Sequence, residues 1–142
     1  MDRPQKSVEL FKDGFNCAQS VFASHAHEFK MDEQRGLRVA SAFGAGMCHG
    51  GVCGAVSGSL MVLGMRHGNC QKGDLEAKKL TAARVKAFMA AFESRNGSLI
   101  CEKLLGCNPS TEEGKQEAKE KGFFKTRCPQ FVLDASEILD EI

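Results

Sequence analysis

Seven cysteines, Cys17, Cys48, Cys53, Cys70, Cys101, Cys107 and Cys128, are the side chains of this 142-residue sequence best suited to chemistry. Ionised sulfur attacks disulfides and ligates soft metals, so what these residues can do depends on where the fold favours thiolate over thiol. At about 5% of the chain they fall short of the ~8–10% that marks a disulfide scaffold. Their number is odd, and residues 1–10 are charged and polar, without the apolar core of an export signal. The expectation is a cytoplasmic protein whose cysteines are redox-active, catalytic or metal-binding rather than structural crosslinks.

Spacing narrows the chemistry. The sequence contains no C-x-x-C, so the thioredoxin-like motif and the common zinc-ribbon pairings are absent. A four-cysteine site for an iron–sulfur cluster or zinc would have to be assembled from segments distant in sequence. Other candidates are weaker. His25 and His27 are two apart on a predicted helix and point in different directions, which predicts solvated side chains. His49 adjoins Cys48 and is placed to tune Cys48 or Cys53, while His67 has no assigned role. The glycine-rich stretch 46–51 matches neither phosphate-binding signature, G-x-x-x-x-G-K-[ST] or G-x-G-x-x-G, and close packing explains it better.

Composition excludes several other classes. Formal net charge is +1, the charges are interspersed, and no basic stripe suits nucleic acid. Trp and Tyr are missing, and the ten Phe fall mainly in amphipathic segments, where they read as core. The uncharged run 43–65 is long enough to cross a bilayer but too polar and glycine-rich at its start, so membrane insertion is not expected. An apolar fraction of 42% with 26% charged residues is that of an ordinary globular chain of one domain, residues 1–142.

The elements that must position the sulfurs read as helices, because no alternating β-branched run with hairpin turns is present. A first helix, 5–12, is stopped by Gly14; Asn16 then caps a second, reaching about Phe29, with Gln19 as capping-box partner. Asp32 opens a third, with Leu37, Ala40, Ser41 and Phe43 inward, ending at Gly44-Ala45-Gly46. A fourth, about 52–66, carries Gly54 and Gly58 one turn apart. Glycine costs ~1 kcal/mol against alanine in a helix, so a neighbouring backbone is expected close by. Asp74 begins the longest helix, ending at Asn96-Gly97, with Val85, Phe88, Met89 and Phe92 as its buried stripe. Ser98 caps a short helix stopped by Gly106, and a weaker one opens at Thr111. The last helix starts at Pro129 and buries Phe131, Ala135, Ile138, Leu139 and Ile142. The expected fold is a compact all-α bundle of about five to seven helices.

On this map Cys17, Cys53 and Cys101 occupy first turns, and Cys128 occupies a cap position. Unpaired N–H groups and the positive end of the helix dipole converge there and favour thiolate. Helix starts can bring a cysteine pKa from ~8.5 into the ~3.5–7.5 range, and Lys125 and Arg127 would act on Cys128 in the same sense. Cys48, in the glycine loop, and Cys70 and Cys107, behind Gly68 and Gly106, lack that placement.

The runs Gly14-Phe15-Asn16-Cys17-Ala18-Gln19-Ser20-Val21, Cys53-Gly54-Ala55-Val56-Ser57-Gly58, Cys101-Glu102-Lys103-Leu104-Leu105-Gly106 and Lys125-Thr126-Arg127-Cys128-Pro129 resemble the family of redox-active proteins named for its C…GCAxxG…C…C pattern. The likeness extends from about residue 7 to the C-terminus. The second motif reads C-G-A-x-x-G here, where the family name has G-C-A-x-x-G. The resemblance implies Cys17, Cys53, Cys101 and Cys128 as the family's cysteines and leaves Cys48, Cys70 and Cys107 without a role. A similar cysteine-bearing region in a class of multihaem cytochromes with an iron–sulfur centre implies cluster binding as the alternative. The chain has no C-x-x-C-H for covalent haem.

Two functions are therefore expected. One is a thiol-dependent oxidoreductase, in which the four catalytic cysteines carry thiol/disulfide exchange or electron transfer. The other is a metal-binding electron carrier with Cys17, Cys53, Cys101 and Cys128 as ligands of an iron–sulfur cluster. Either needs a redox partner, and self-association into a homo-oligomer is compatible with both.

Overall fold

The computed structural model describes residues 1–142 and is all-α, without strands. Nine helical segments follow in order: α1 (Arg3–Lys12), α2 (Cys17–Ala26), α3 (Glu33–Ala40), α4 (Gly54–His67), α5 (Leu75–Asn96), α6 (Cys101–Leu105), α7 (Glu112–Glu120), α8 (Phe123–Thr126) and α9 (Cys128–Glu141). That exceeds the five to seven read from the sequence, chiefly because a glycine at φ 72°, Gly122, starts the single turn α8 before α9. None of the helices is long and apolar enough to cross a membrane.

Local chemistry explains most boundaries. Asp2, Asp32, Asp74 and Thr111 each accept a backbone N–H with a side-chain oxygen at the starts of α1, α3, α5 and α7. Asn16 and Gln19 form the full capping box of α2, with bonds of 2.9 and 3.0 Å. Helix α1 begins two residues earlier than expected because Asp2 supplies the cap and Pro4 needs no N–H partner. The second helix is shorter than read, since its backbone tightens into a 3₁₀ turn over His27–Phe29.

Helix α2 is the centre of the molecule. It packs against α1, α3, α4 and α9, and every residue from Ser20 to Ala26 is buried. The closest approach is to α4. A Cβ on Gly54 would stand 2.8 Å from the Ala18 nitrogen, and one on Gly58 would stand 2.7 Å from the Ala18 oxygen, so any side chain there would push the helices apart. The packing reason expected for these two glycines is thus the backbone of α2.

A 20-residue apolar cluster fills the space between α2, α4, α5, α6 and α9. Phe88 and Phe92 of α5 are fully buried, Val85 and Met89 partly so, and the helix's first turns stand clear of the core with Leu75 and Leu80 exposed. Helix α9 buries Phe131, Ala135, Ile138 and Leu139 along one face, with Ile142 half-buried at its end.

Two expectations about orientation are corrected. Ser41 is exposed, because the chain leaves α3 through a 3₁₀ turn and only Gly36 and Ala40 are buried on that helix. His25, expected at the surface, is fully buried. Its Nδ1 lies 2.9 Å from the Val21 oxygen, and its Nε2 faces Asp140 at 3.9 Å. The two-residue spacing argument assumes a helix with a wet face, and α2 has none in that stretch. Burial in turn holds the His25 pKa below the ordinary histidine range.

Candidate functional site

Cysteines open four of the helices, and those four openings meet at one cavity. Cys17 is the first residue of α2, Cys53 the cap of α4, Cys101 the first residue of α6 and Cys128 the first of α9. All four line a cavity of about 770 Å³, whose walls are mainly hydrophobic. Cys53, Cys101 and Cys128 are 3%, 9% and 6% exposed, while Cys17 is half-buried. Cys48 and Cys70 are exposed and Cys107 is half-buried, and none of the three lines the cavity. All seven cysteines are free thiols.

Three local devices bring the sulfurs together. The glycine contact of α4 with Ala18 sets Cys17 beside Cys53, since a Cβ on Gly54 would lie 3.1 Å from that of Cys17. A short antiparallel pairing, Val52 with Ile100, joins the segments ahead of α4 and α6: Cys53 N–H donates to the Leu99 oxygen (2.8 Å) and Cys101 N–H to that of Gly51 (2.6 Å). The Arg127 guanidinium stacks 3.9 Å over the Phe123 ring and donates to the Leu105 oxygen at 3.1 Å, fastening the α8–α9 junction to the end of α6.

Two cap assignments differ from the sequence reading. Ser98 accepts the Ile100 N–H (3.0 Å), but α6 begins only at Cys101, because residues 99–101 are drawn into the pairing with residues 51–53. Cys128 is the first helical residue of α9 rather than its cap, since Arg127 is already in the right-handed helical region and α8 runs into α9 through a kink.

The electrostatics separate Cys17, Cys53 and Cys101, although the helix-start argument treats them alike. Cys53 is held below the ordinary thiol range, first by the neighbouring Cys17 side chain and then by the Ala55 and Val56 N–H groups at the start of α4, which together outweigh burial. Cys17 moves the other way, pushed well up by contacts with the Cys128 and Cys53 sulfurs and by burial. Cys101 is pushed up to about 12, first by burial and then by the neighbouring Cys53 and Cys128. The expectation that every helix start favours thiolate is therefore corrected. The Cys101 helix is a five-residue stub with little dipole to offset that burial, whereas α4 runs for 14 residues. Outside the cavity, burial and Glu117 push the Cys107 thiol up.

The Cys101 shift has a stability consequence. A group whose pKa rises on folding stabilises the fold in its protonated form, fully below the unfolded thiol range, and that contribution is lost as pH climbs through the folded value. Denaturant titrations from pH 8 upward should show stability falling towards about 12. In Cys101→Ala the slope should be shallower; an unchanged slope would assign the alkaline loss to other groups.

The fit of a metal is decided by the donor set. No group of three or more His, Cys, Asp or Glu side chains is arranged to hold a metal ion, so the four sulfurs share a cavity without forming a four-ligand cage. An iron–sulfur cluster spreads its thiolate ligands over several irons rather than one, and Cys17, Cys53, Cys101 and Cys128 around the cavity are the residues that would hold it.

Fold and site together define an all-helical protein that gathers four free thiols, three buried and one half-buried, at one cavity. The chain belongs to the C_GCAxxG_C_C family: the family model described as "Putative redox-active protein (C_GCAxxG_C_C)" matches residues 15–142. No curated protein and no solved structure matches it.

Proposed function

We propose that the protein is a dithiol/disulfide redox protein in which Cys53 attacks and Cys17 resolves. The observation that carries this reading is placement: Cys53 caps the 14-residue α4, and Cys17 lies beside it across the contact of Gly54 with α2, in the same cavity. The Cys17 side chain and the Ala55 and Val56 N–H groups hold Cys53 below the ordinary thiol range, which suits it to attack. A substrate disulfide, RS–SR, would be attacked by the Cys53 thiolate, forming a mixed disulfide and expelling RS⁻. The Cys17 proton passes to the departing thiolate, and its sulfur then attacks Cys53 Sγ and expels the second RS⁻. The substrate gains two electrons and the protein loses two as a Cys17–Cys53 disulfide forms. Cys128, which lines the same cavity and adds to the upward push on the Cys17 thiol, is the next sulfur to which that disulfide can pass.

The test is a thiol count with peptide mapping. Fully reduced protein carries seven thiols. Mild treatment with 2-hydroxyethyl disulfide should remove two and yield a linked peptide pair joining Cys17 to Cys53. An unchanged count, or linkage only among Cys48, Cys70 and Cys107, would overturn the reading.

A further inference from the structure

The cavity carries more than sulfur. Lys12, Lys115 and Lys125 contribute to its lining, from α1, α7 and α8, and no aspartate or glutamate does. Lys115 and Lys125 form no ion pair; Lys12 has one exposed partner one turn away, Glu9, at 3.8 Å. The walls also include Phe11, Phe15, Phe124 and Phe131. The charges of the whole chain nearly cancel, at +1, so this single-sign lining is a local feature. A volume of about 770 Å³ suits a small molecule rather than a protein strand or loop.

We infer that the exchanging partner is a low-molecular-weight disulfide bearing carboxylates, drawn in by Lys12, Lys115 and Lys125 and seated with its carbon skeleton against the phenylalanines. This rests on the proposed Cys53–Cys17 exchange and names its substrate class. Three cationic side chains around a low-dielectric recess raise the local concentration of anions and repel cations. The same attraction retains the mixed disulfide until Cys17 displaces it. The products are two carboxylate-bearing thiols and the oxidised protein, so atoms and electrons balance as above.

A charge series tests the inference. 3,3′-Dithiodipropionic acid, 2-hydroxyethyl disulfide and cystamine have closely similar skeletons and are anionic, neutral and cationic at neutral pH. Each is reacted with reduced full-length protein, and each rate is divided by the rate of the same disulfide with free 2-mercaptoethanol, which removes intrinsic reactivity. At low ionic strength the normalised anion-to-cation ratio should be about tenfold or more and should shrink as salt screens the lysines. The triple variant Lys12→Gln/Lys115→Gln/Lys125→Gln, altered only at exposed positions, should bring the ratio towards one with unchanged circular dichroism. Equal normalised rates for the three disulfides, or a ratio that survives in the triple variant, would overturn the inference while leaving the exchange intact. Failure of all three to oxidise Cys17 and Cys53 would remove the exchange itself, and the substrate class with it.

Discussion

In Cys53→Ser, reversible oxidation by a small disulfide should fall on the order of 100-fold, to the background set by the exposed Cys48 and Cys70. Serine preserves the size of the side chain and is a favoured cap residue, so α4 retains its start. What disappears is the one cavity sulfur held below the ordinary thiol range. Cys17→Ser should behave differently: attack still occurs, but the mixed disulfide on Cys53 persists and appears in the mass spectrum as one adduct per chain. If Cys53→Ser protein oxidised as fast as the parent, the nucleophile would lie elsewhere among the seven sulfurs.

The largest effect on stability is expected from Phe92→Ala. Phe92 is fully buried, with its ring centroid 6.1 Å from that of Phe88 and 6.4 Å from that of Phe131. Truncating such a side chain costs about 3–5 kcal/mol in transfer free energy and residual cavity. That is a large share of the ~5–15 kcal/mol that holds a typical domain folded. Urea titration should show the midpoint displaced accordingly. Because Phe131 also walls the thiol cavity, the same variant should weaken discrimination between small disulfides. A loss below about 1 kcal/mol would mean that α5 contributes far less to the core than its burial indicates.

Much of this architecture is legible in the residues. Caps and stops are local chemistry, so Asn16 with Gln19, Asp32, Asp74, Thr111 and Gly97 mark their helices without reference to the rest of the chain. The close approach signalled by Gly54 and Gly58 is real, although its partner, Ala18, is not recognisable from spacing. The four helix-start cysteines are individually readable for the same reason.

What sequence reading misses is non-local. The pairing of Val52 with Ile100 joins segments nearly fifty residues apart and ties the start of α4, with Cys53, to the start of α6, with Cys101. The opposite shifts of Cys17 and Cys53 arise between two helices in contact, and no property of either sequence segment foretells which sulfur keeps the proton. His25 misleads because the number of neighbours around α2 is a tertiary quantity. The lysines around the cavity likewise come from three separate segments of an otherwise balanced chain.

The loop before Cys53 holds a run of backbone that L-residues ordinarily avoid. Ala45, Gly46, Met47 and Cys48 stand consecutively at φ of 52°, 62°, 63° and 58°, a left-handed turn in which only one residue is glycine. Left-handed helical backbone costs roughly 1–2 kcal/mol for each residue with a side chain, and the turn is retained by the Gly51 N–H bond to the Gly46 oxygen (2.9 Å) and by the Asn108 amide, which donates to the His49 oxygen (3.5 Å). The loop thus behaves as a wound spring behind the α4 thiol. Loosening either tie would let it relax towards ordinary right-handed or extended backbone, so two hydrogen bonds hold the strain stored in the segment ahead of Cys53.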